Sequence, residues 1–333
     1  MITGNSLKVY MGLEKSQDAY GTKIAAYTHR IKVSSEGLQA KYNKKDEGLL
    51  TGGIATGKVA TMSRKVEGSL STLLRPDDAG LLFYLLCGKE TTVMPPASPP
   101  IQSLTHTFVP IGNDLTDSLP SCTIGIDRTA EKDNYTGCKL DSASFSAQQE
   151  DYVKLDLSFV GAREIIKDLE NVDTLKPSAQ TAFKFLGGEF KIQNAHVADV
   201  TSIKFDYNNT LESSTMTTDS GEYFLEPECG ARDIKLEIEV LYSKESAKIK
   251  KDRYANDDEF SVSLHFESSE KAKDGAAFKI DIEIPAAQLT ELTHNVGGSD
   301  KVVQKMSMKA VENFEDPLIT VKVHNNVITK YGA

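Results

Sequence analysis

Alternating apolar and polar positions recur along the chain and predict a protein built mainly from β-strands. The alternation is clearest in Tyr152–Phe159, Asp233–Tyr242 and Phe278–Ile284, where every second residue is apolar, as in half-buried strands. Further strands are predicted at Ser121–Asp127, Gly137–Phe145, Phe190–Gln193, Ser202–Tyr207, Glu259–Phe266, Val303–Val311 and Leu318–His324. Strands with one apolar and one polar face are typical of antiparallel sheets.

The stretch Lys65–Gly88 changes from a strand pattern to a helix pattern. Pro76 suits the first helical turn, Asp77 and Asp78 are predicted to cap the free N–H groups, and Gly88 suits the left-handed position after the last turn. Residues 81–87 are apolar without a break, so this helix needs cover on both sides. The chain's own sheet supplies one side. The other side is either a seam with a neighbouring subunit or domain, or the interior of a larger core; the seam candidates are Leu81, Leu82, Tyr84 and Leu85.

The same order of elements recurs after a charged link that ends at Pro177. We therefore predict two tandem domains, residues 1–167 and 179–333, joined by a linker at 168–178. The predicted class is mainly β, a sandwich or barrel with one helix per domain. The second helix, predicted at Ser243–Tyr254, is polar over most of its surface and is expected to face outward.

Composition limits the partners. The chain has 333 residues and a formal charge of −10, and without a dense basic cluster it is not expected to bind DNA tightly. No secretory signal or apolar span long enough to cross a membrane is predicted, so we expect synthesis in the cytoplasm without membrane contact. The four cysteines are then reduced and match no zinc pattern: Cys87, Cys122, Cys138 and Cys229.

One motif suggests nucleotide binding, but its context does not support that function. Gly52, Gly57 and Lys58 have the spacing of a phosphate-binding loop, yet Val59 stands where Ser or Thr should bind magnesium. The following residues have strand character and supply no helix N-terminus for an anion. Histidines are scattered, and no nucleophile motif is present. The sequence predicts no enzyme, cofactor or metal.

Three segments together resemble the phage tail tube proteins. The main one is VEGSLSTLLRPDDAGLLFYLLCG, in which a strand leads through Pro-Asp into a helix that ends in glycine. Tyr20–Thr22 precedes the first strands, and VGGSDKVVQKMSMKAV at Val296–Val311 precedes a terminal strand with Asn325. These segments cover most of the chain in the family's order.

The resemblance implies a structural protein of the virion tail. Subunits form rings that stack into a hollow conduit for DNA, and a chain with two copies implies homotrimeric rings. Implied partners are further copies of the chain, the tape measure, the tail terminator and baseplate or distal tail proteins. DNA passes without tight binding.

The resemblance also assigns surfaces to the chain. The loops Gly48–Met62 and Leu211–Cys229 are expected to join rings, with candidate residues Gly52, Gly53, Gly57, Lys58, Ser213 and Thr217. Charged positions on polar strand faces are candidates for the lumen: Asp156, Glu237, Glu239, Asp281 and Glu283. An acidic lumen suits the net charge, because Lys and Arg are what bind DNA phosphates.

A second hypothesis is a two-domain β-sandwich binding module, such as a carbohydrate-binding or adhesin-like virion protein. The sequence contains no Trp, which weakens the case for an aromatic surface that binds sugars. Polymerisation of the purified protein would favour the tube, and stabilisation by a ligand without polymerisation would favour the binding module.

Overall fold

The computed structural model describes residues 6–15, 19–48, 58–95, 100–112, 118–197, 199–252, 254–295 and 301–332. These ranges are mainly β-structure, as predicted, with helices α1 (Pro76–Cys87) and α2 (Lys244–Asp252). The first-half strands are β1 (Lys8–Leu13), β2 (His29–Ile31), β3 (Val33–Glu36), β4 (Gln39–Asp46), β5 (Val59–Leu73), β6 (Gly88–Glu90), β7 (Leu104–Pro110), β8 (Cys122–Asp127), β9 (Lys132–Gln148), β10 (Lys154–Gly161) and β11 (Arg163–Ile166). The second-half strands are β12 (Gly188–Ile192), β13 (Ala195–His196), β14 (Val200–Asn208), β15 (Leu211–Glu212), β16 (Glu228–Cys229), β17 (Asp233–Leu241), β18 (Phe260–Lys271), β19 (Ala277–Asn295), β20 (Val303–Ala310) and β21 (Thr320–Asn325).

Eight strands, four from each half, form one continuous antiparallel sheet, which we call the joined sheet. Its order is β3–β5–β10–β9–β14–β17–β20–β19, and it uses only the last part of β9 and of β19. The halves meet where β9 pairs with β14 over seven residue pairs, from Gln148–Ser202 to Ser142–Asn208. Backbone hydrogen bonds therefore connect the two halves of the chain directly.

Two further sheets cover the apolar face of the joined sheet. The covering sheet has the order β12–β18–β19–β21–β7–β6, so it combines strands of both halves. A small sheet has the order β2–β1–β8–β9–β11. The long strands β9 and β19 each begin in one of these sheets and end in the joined sheet, so they hold the layers together.

The hydrophobic core lies between the joined sheet and the covering sheet. Phe145 and Phe205 face each other across the β9–β14 pairing, with ring centroids 5.5 Å apart. They line one small internal void together with Phe266 and Ile282 of the covering sheet. The alternation predicted at Tyr152–Phe159, Asp233–Tyr242 and Phe278–Ile284 is confirmed, because one face of β10, of β17 and of the first part of β19 supplies the core and the other face is polar.

The helix α1 is predicted correctly, and the chain itself covers it. Gly88 adopts the left-handed conformation, with φ 89°, and its N–H bonds to the Tyr84 carbonyl. Phe83 stacks on Phe145 of β9, with ring centroids 5.2 Å apart. Strands β7 and β21 of the covering sheet also contact α1. Of the seam candidates, Leu81, Leu82 and Leu85 are at most 3% exposed and Tyr84 is half-buried.

The predicted capping of α1 by its two carboxylates is wrong. Arg75 occupies the N-cap position and makes no side-chain cap hydrogen bond. Asp77 instead accepts a hydrogen bond from the backbone N–H of Asn326, at 3.3 Å. Asp78 is buried, and its Oδ2 has no partner among the described residues. The segment after β21 therefore contacts the start of α1, where solvent would otherwise bind the Asp77 carboxylate.

The predicted loop Gly48–Met62 is in part a β-hairpin. Strand β4 continues to Asp46 and β5 begins at Val59, with these two residues paired. We call the hairpin formed by residues 39–66 the arm; its tip lies outside the described residues. The side chains of β4 are almost all exposed, so the arm has little core of its own and relies on backbone pairing.

Candidate functional site

The face of the joined sheet that points away from the core is polar across both halves. Strand register aligns one row of side chains across seven strands: Ser71, Asp156, Ser144, Asp206, Lys235, Lys309 and Gln288. We call this surface the polar face. Serine is frequent on it, so much of the surface is small, uncharged and hydrophilic.

The lysines of the polar face are paired with carboxylates. The ion pairs are Lys154–Asp151 at 2.6 Å, Lys204–Asp206 at 2.7 Å, Lys235–Asp233 at 2.5 Å, Lys305–Glu237 at 2.8 Å and Lys309–Asp233 at 3.1 Å. The hydrogen bond from Lys235 lowers the pKa of Asp233, and the same bond raises the pKa of Lys235. Each ammonium group therefore already has an anionic partner.

The structure brings together three of the five lumen candidates. Asp156, Glu237 and Glu239 lie on the polar face. Asp281 and Glu283 lie on the first part of β19, which belongs to the covering sheet. There Asp281 bonds to His265 at 2.5 Å, and Glu283 bonds to Lys322 of β21 at 2.8 Å.

The two halves of the joined sheet repeat one another in detail. A bulge leaves Asp141 of β9 unpaired with β10, and a bulge at the matching place leaves Thr290 of β19 unpaired with β20. The outermost strands of the two halves, β3 and β14, also share a bulge. In it, the hydroxyl of Ser34 donates to the Ser71 carbonyl and that of Thr201 donates to the Glu239 carbonyl, each at 3.1 Å.

The repeat leaves two unpaired edges among the described residues. In the first half, β9 pairs on its far side with β14, the first strand of the second half. In the second half, the matching end strand is β19, and its last part pairs only with β20. At the opposite edge of the joined sheet, β3 pairs only with β5. An open groove runs along that edge, lined by Glu36, Leu38, Gln39 and Arg128.

Topology places three connections at one end of the joined sheet, which we call the arm end. The arm enters β5 there, residues 209–232 connect β14 to β17 there, and residues 311–319 leave β20 there. The opposite end, which we call the helix end, carries α2 after β17 and the turn between β9 and β10. A ring built on this sheet would present these two ends to its neighbours above and below.

The described parts of the two expected ring-to-ring loops lie at the arm end. Gly52, Gly53 and Gly57 lie outside the described residues, and Lys58 is exposed. Thr217 is exposed and Ser213 is half-buried in the loop Leu211–Cys229. Both stretches therefore belong to the same end of the molecule.

The loop Leu211–Cys229 packs against the base of the arm. Glu222 forms an ion pair with Arg64 at 2.6 Å, and its carbonyl accepts the Arg64 backbone N–H at 2.7 Å. The guanidinium carbon of Arg163 lies 4.1 Å from the centre of the Tyr223 ring. Further along the loop, Glu226 pairs with the buried Lys139 at 2.7 Å. A loop of the second half thus supports the arm of the first half.

Other candidate chemistry finds no site in the described part of the chain. No group of three or more His, Cys, Asp or Glu residues there could hold a metal ion. Burial raises the pKa of the Cys87 thiol to about 12, and Cys122 and Cys138 are also buried and free. Among the described helices, none has the length and apolar character needed to cross a membrane.

The comparison with protein families agrees with this architecture. The model of the family described as phage tail tube protein matches residues 4–310. The chain belongs to the phage tail tube protein family. A tail tube protein is a structural component of the virion tail and not an enzyme, so the hypothesis of a binding module is set aside. The comparison with curated proteins finds no match for this tail tube protein.

Proposed function

We propose that three copies of this tail tube protein close into a ring and that rings stack into a conduit for DNA. The observation that carries the proposal is the β9–β14 pairing, which already joins two equivalent half-sheets edge to edge within one chain. The same pairing between β19 of one copy and β3 of the next would use the two edges that have no further strand partner among the described residues. At Leu38 it would replace the present hydrogen bonds of the N–H to Glu36 and of the carbonyl to Arg128. It would also remove both exposed edges, which otherwise invite aggregation.

The repeat predicts the register of this pairing between copies. Within the chain, Phe145 of β9 lies opposite Phe205 of β14. The matching positions are His294 in β19 and Leu38 beside β3, so we expect these two residues to lie opposite each other. Leu38 is already buried, whereas His294 is exposed and stacked on Tyr242 at 5.5 Å. Pairing of two copies would cover the exposed ring.

The size of the resulting barrel suits a conduit. Three copies of the eight-stranded joined sheet give about 24 strands, and with strands about 4.8 Å apart and tilted by about 40° the backbone diameter is roughly 48 Å. The polar face would line the bore, including Asp156, Glu237 and Glu239. Its lysines are paired with carboxylates, which limits phosphate binding and lets DNA move.

The other expected contacts follow from this arrangement. We assign the seam role of α1 to the junction of the two halves, because α1 contacts β7 and β9 of the first half and β19 and β21 of the second. Leu82 and Leu85 are buried in this helix. Lys58, Ser213 and Thr217 belong to the arm end and are proposed to meet the next ring. The tape measure would occupy the bore, and the terminator and the baseplate or distal tail proteins would bind the two open ends.

Proline variants of β19 test the pairing between copies. Consecutive N–H groups of a strand point to opposite edges, so only one of Thr293→Pro and His294→Pro removes a hydrogen bond to β20. The other proline variant removes only a backbone N–H group at the edge of β19 that has no strand partner. We expect that variant to melt like the unaltered protein yet to remain monomeric by native mass spectrometry, whereas the unaltered chain forms trimers and tubes in negative-stain micrographs.

Two results would contradict the proposal. One is an unaltered protein that stays monomeric at every concentration and after nucleation. The other is a pair of proline variants that both keep their fold and both form rings at the concentration that suffices for the unaltered chain.

A further inference from the structure

The most exposed large apolar side chain among the described residues lies at the arm end. Phe314 is 92% exposed and has a φ of 62°, a left-handed conformation that is uncommon for a bulky residue. It occupies the middle of the turn Glu312–Asp316, between β20 and β21. Strained backbone positions cluster at functional sites and aromatic residues are enriched at protein–protein interfaces, so this side chain is a candidate for a contact.

Hydrogen bonds within the turn fix this conformation. The carboxylate of Glu312 accepts the Phe314 N–H at 3.0 Å. The side-chain oxygen of Asn313 accepts the N–H groups of Glu315 and Asp316, at 3.2 and 3.0 Å. The backbone of the turn is therefore held in one arrangement before any partner binds, which reduces the entropy lost on association.

The turn is also acidic. Glu312, Glu315 and Asp316 flank Phe314 and are all exposed, and no Lys or Arg occurs between them. Among the described residues, none of these three carboxylates forms an ion pair with a basic side chain. Their charge is available to a partner.

The helix α2 at the opposite end has the complementary charge. Its sequence KESAKIKKD holds four lysines against two carboxylates. Lys244 and Lys248 are exposed and four residues apart, so they share one face of the helix. The helix follows β17 and the acidic turn follows β20, and β17 pairs with β20. The two charged elements thus lie at opposite ends of the same pair of strands.

We infer that the Phe314 turn of one ring docks against α2 of a copy in the next ring. The inference rests on the proposed function, because only stacked rings bring the arm end of one copy to the helix end of another. The partner is a second copy of this chain, selected by charge complementarity and by the exposed aromatic ring. The contact explains why α2 is polar although residues 81–87 of its counterpart α1 are apolar without a break.

Charge reversal tests the contact. The Lys244→Glu/Lys248→Glu variant should still form rings by native mass spectrometry, while the concentration needed for tubes rises by about tenfold or more, since like charges then face each other. Adding Glu315→Lys/Asp316→Lys to the same chain should restore stacking. Lys167→Glu/Lys176→Glu places the same charge change at exposed positions of the link between the halves and should leave tube formation unchanged.

A second variant removes the aromatic ring without touching the charges. Phe314→Ser should keep the melting temperature and the ring, and shorten or abolish tubes. Tubes that form normally from both Phe314→Ser and the helix variant would overturn the inference while leaving the ring intact. An unaltered protein that forms no rings would overturn the proposed function and this inference with it.

Discussion

Asp78 shows how one residue can make stability depend on pH. Burial raises its pKa to about 7 from its ordinary value of 3.8, and its Oδ2 has no hydrogen-bond partner among the described residues. Between these two pH values the folded chain binds more protons than the unfolded chain. The stability of the fold therefore falls as pH rises from about 4 to about 7 and stays lowered above that range.

Asp78→Asn should remove this dependence. Near pH 8 we expect the variant to have a free energy of unfolding higher by on the order of 4 kcal/mol, and near pH 4 the difference should shrink toward zero. Urea titrations of the unassembled chain at both pH values measure it. Asp77→Asn is the matched control and should gain nothing, because Asp77 accepts a hydrogen bond from the Asn326 N–H. A variant as pH-dependent as the unaltered chain would show that another group is responsible.

Single residues also explain why the strands β1 and β7 are not predicted from the sequence. Strand β7 has the usual alternation, but His106 occupies one of its core positions. Its two ring nitrogens contact a Glu90 oxygen at 2.8 Å and the Val327 carbonyl at 2.9 Å, and only the folded chain supplies those partners. Strand β1 is missed for another reason. Val9, Tyr10 and Met11 are all buried, so apolar and polar positions do not alternate along it.

At the scale of elements, the two helices have the same place in the order but different roles. Leu85 of α1 is fully buried between sheets, so Leu85→Ala should lower the free energy of unfolding by about 2–5 kcal/mol. Leu85→Asp should prevent folding, because it buries an unpaired carboxylate. At the exposed position Lys248 of α2, Lys248→Ala should cost less than about 0.5 kcal/mol.

Thermal and urea unfolding of the unassembled variants measure these differences. If Leu85→Ala and Lys248→Ala lower the free energy of unfolding equally, α1 is no better covered by the rest of the chain than α2. The sequence does predict this contrast, since residues 81–87 of α1 are apolar without a break and KESAKIKKD is not.

The pairing of β9 with β14 could not be predicted from the sequence. A strand pattern tells which side chains share a face, but not which neighbour the backbone will pair with. Asp281 illustrates the limit, because its alternation is as regular as that of Glu237. Yet β19 pairs with β21 up to Glu283 and with β20 only from Ala287 onward, so Asp281 belongs to the covering sheet and not to the polar face.

At the scale of the whole molecule, the paired lysines predict how DNA should respond to added charge. Glu237→Lys/Glu239→Lys introduces two cations on the polar face and leaves Lys305 without the carboxylate that now pairs with it at 2.8 Å. We expect tubes of this variant to retain short duplex DNA inside the bore at low salt, because Lys contacts to phosphate supply most of the affinity.

The control is Asp281→Lys/Glu283→Lys, which makes the same charge change on the covering sheet. Co-sedimentation of tubes with a labelled short duplex measures retention, and a large circular plasmid that cannot enter the bore serves as competitor. The plasmid should strip DNA from the control but not from the polar-face variant. If it strips both equally, the polar face does not line the bore.

The β9–β14 pairing also has a consequence for the kinetics of assembly. In a ring of three chains, half of the edge pairings would form during folding of each chain, at an effective concentration set by the covalent link. Of the other half, all but the last pairing would depend on collisions, so a ring would need two encounters between chains where six separate half-chains would need five. Changes at Phe145 should then alter the stability of each chain at any dilution, whereas changes at His294 should alter the concentration at which rings first appear.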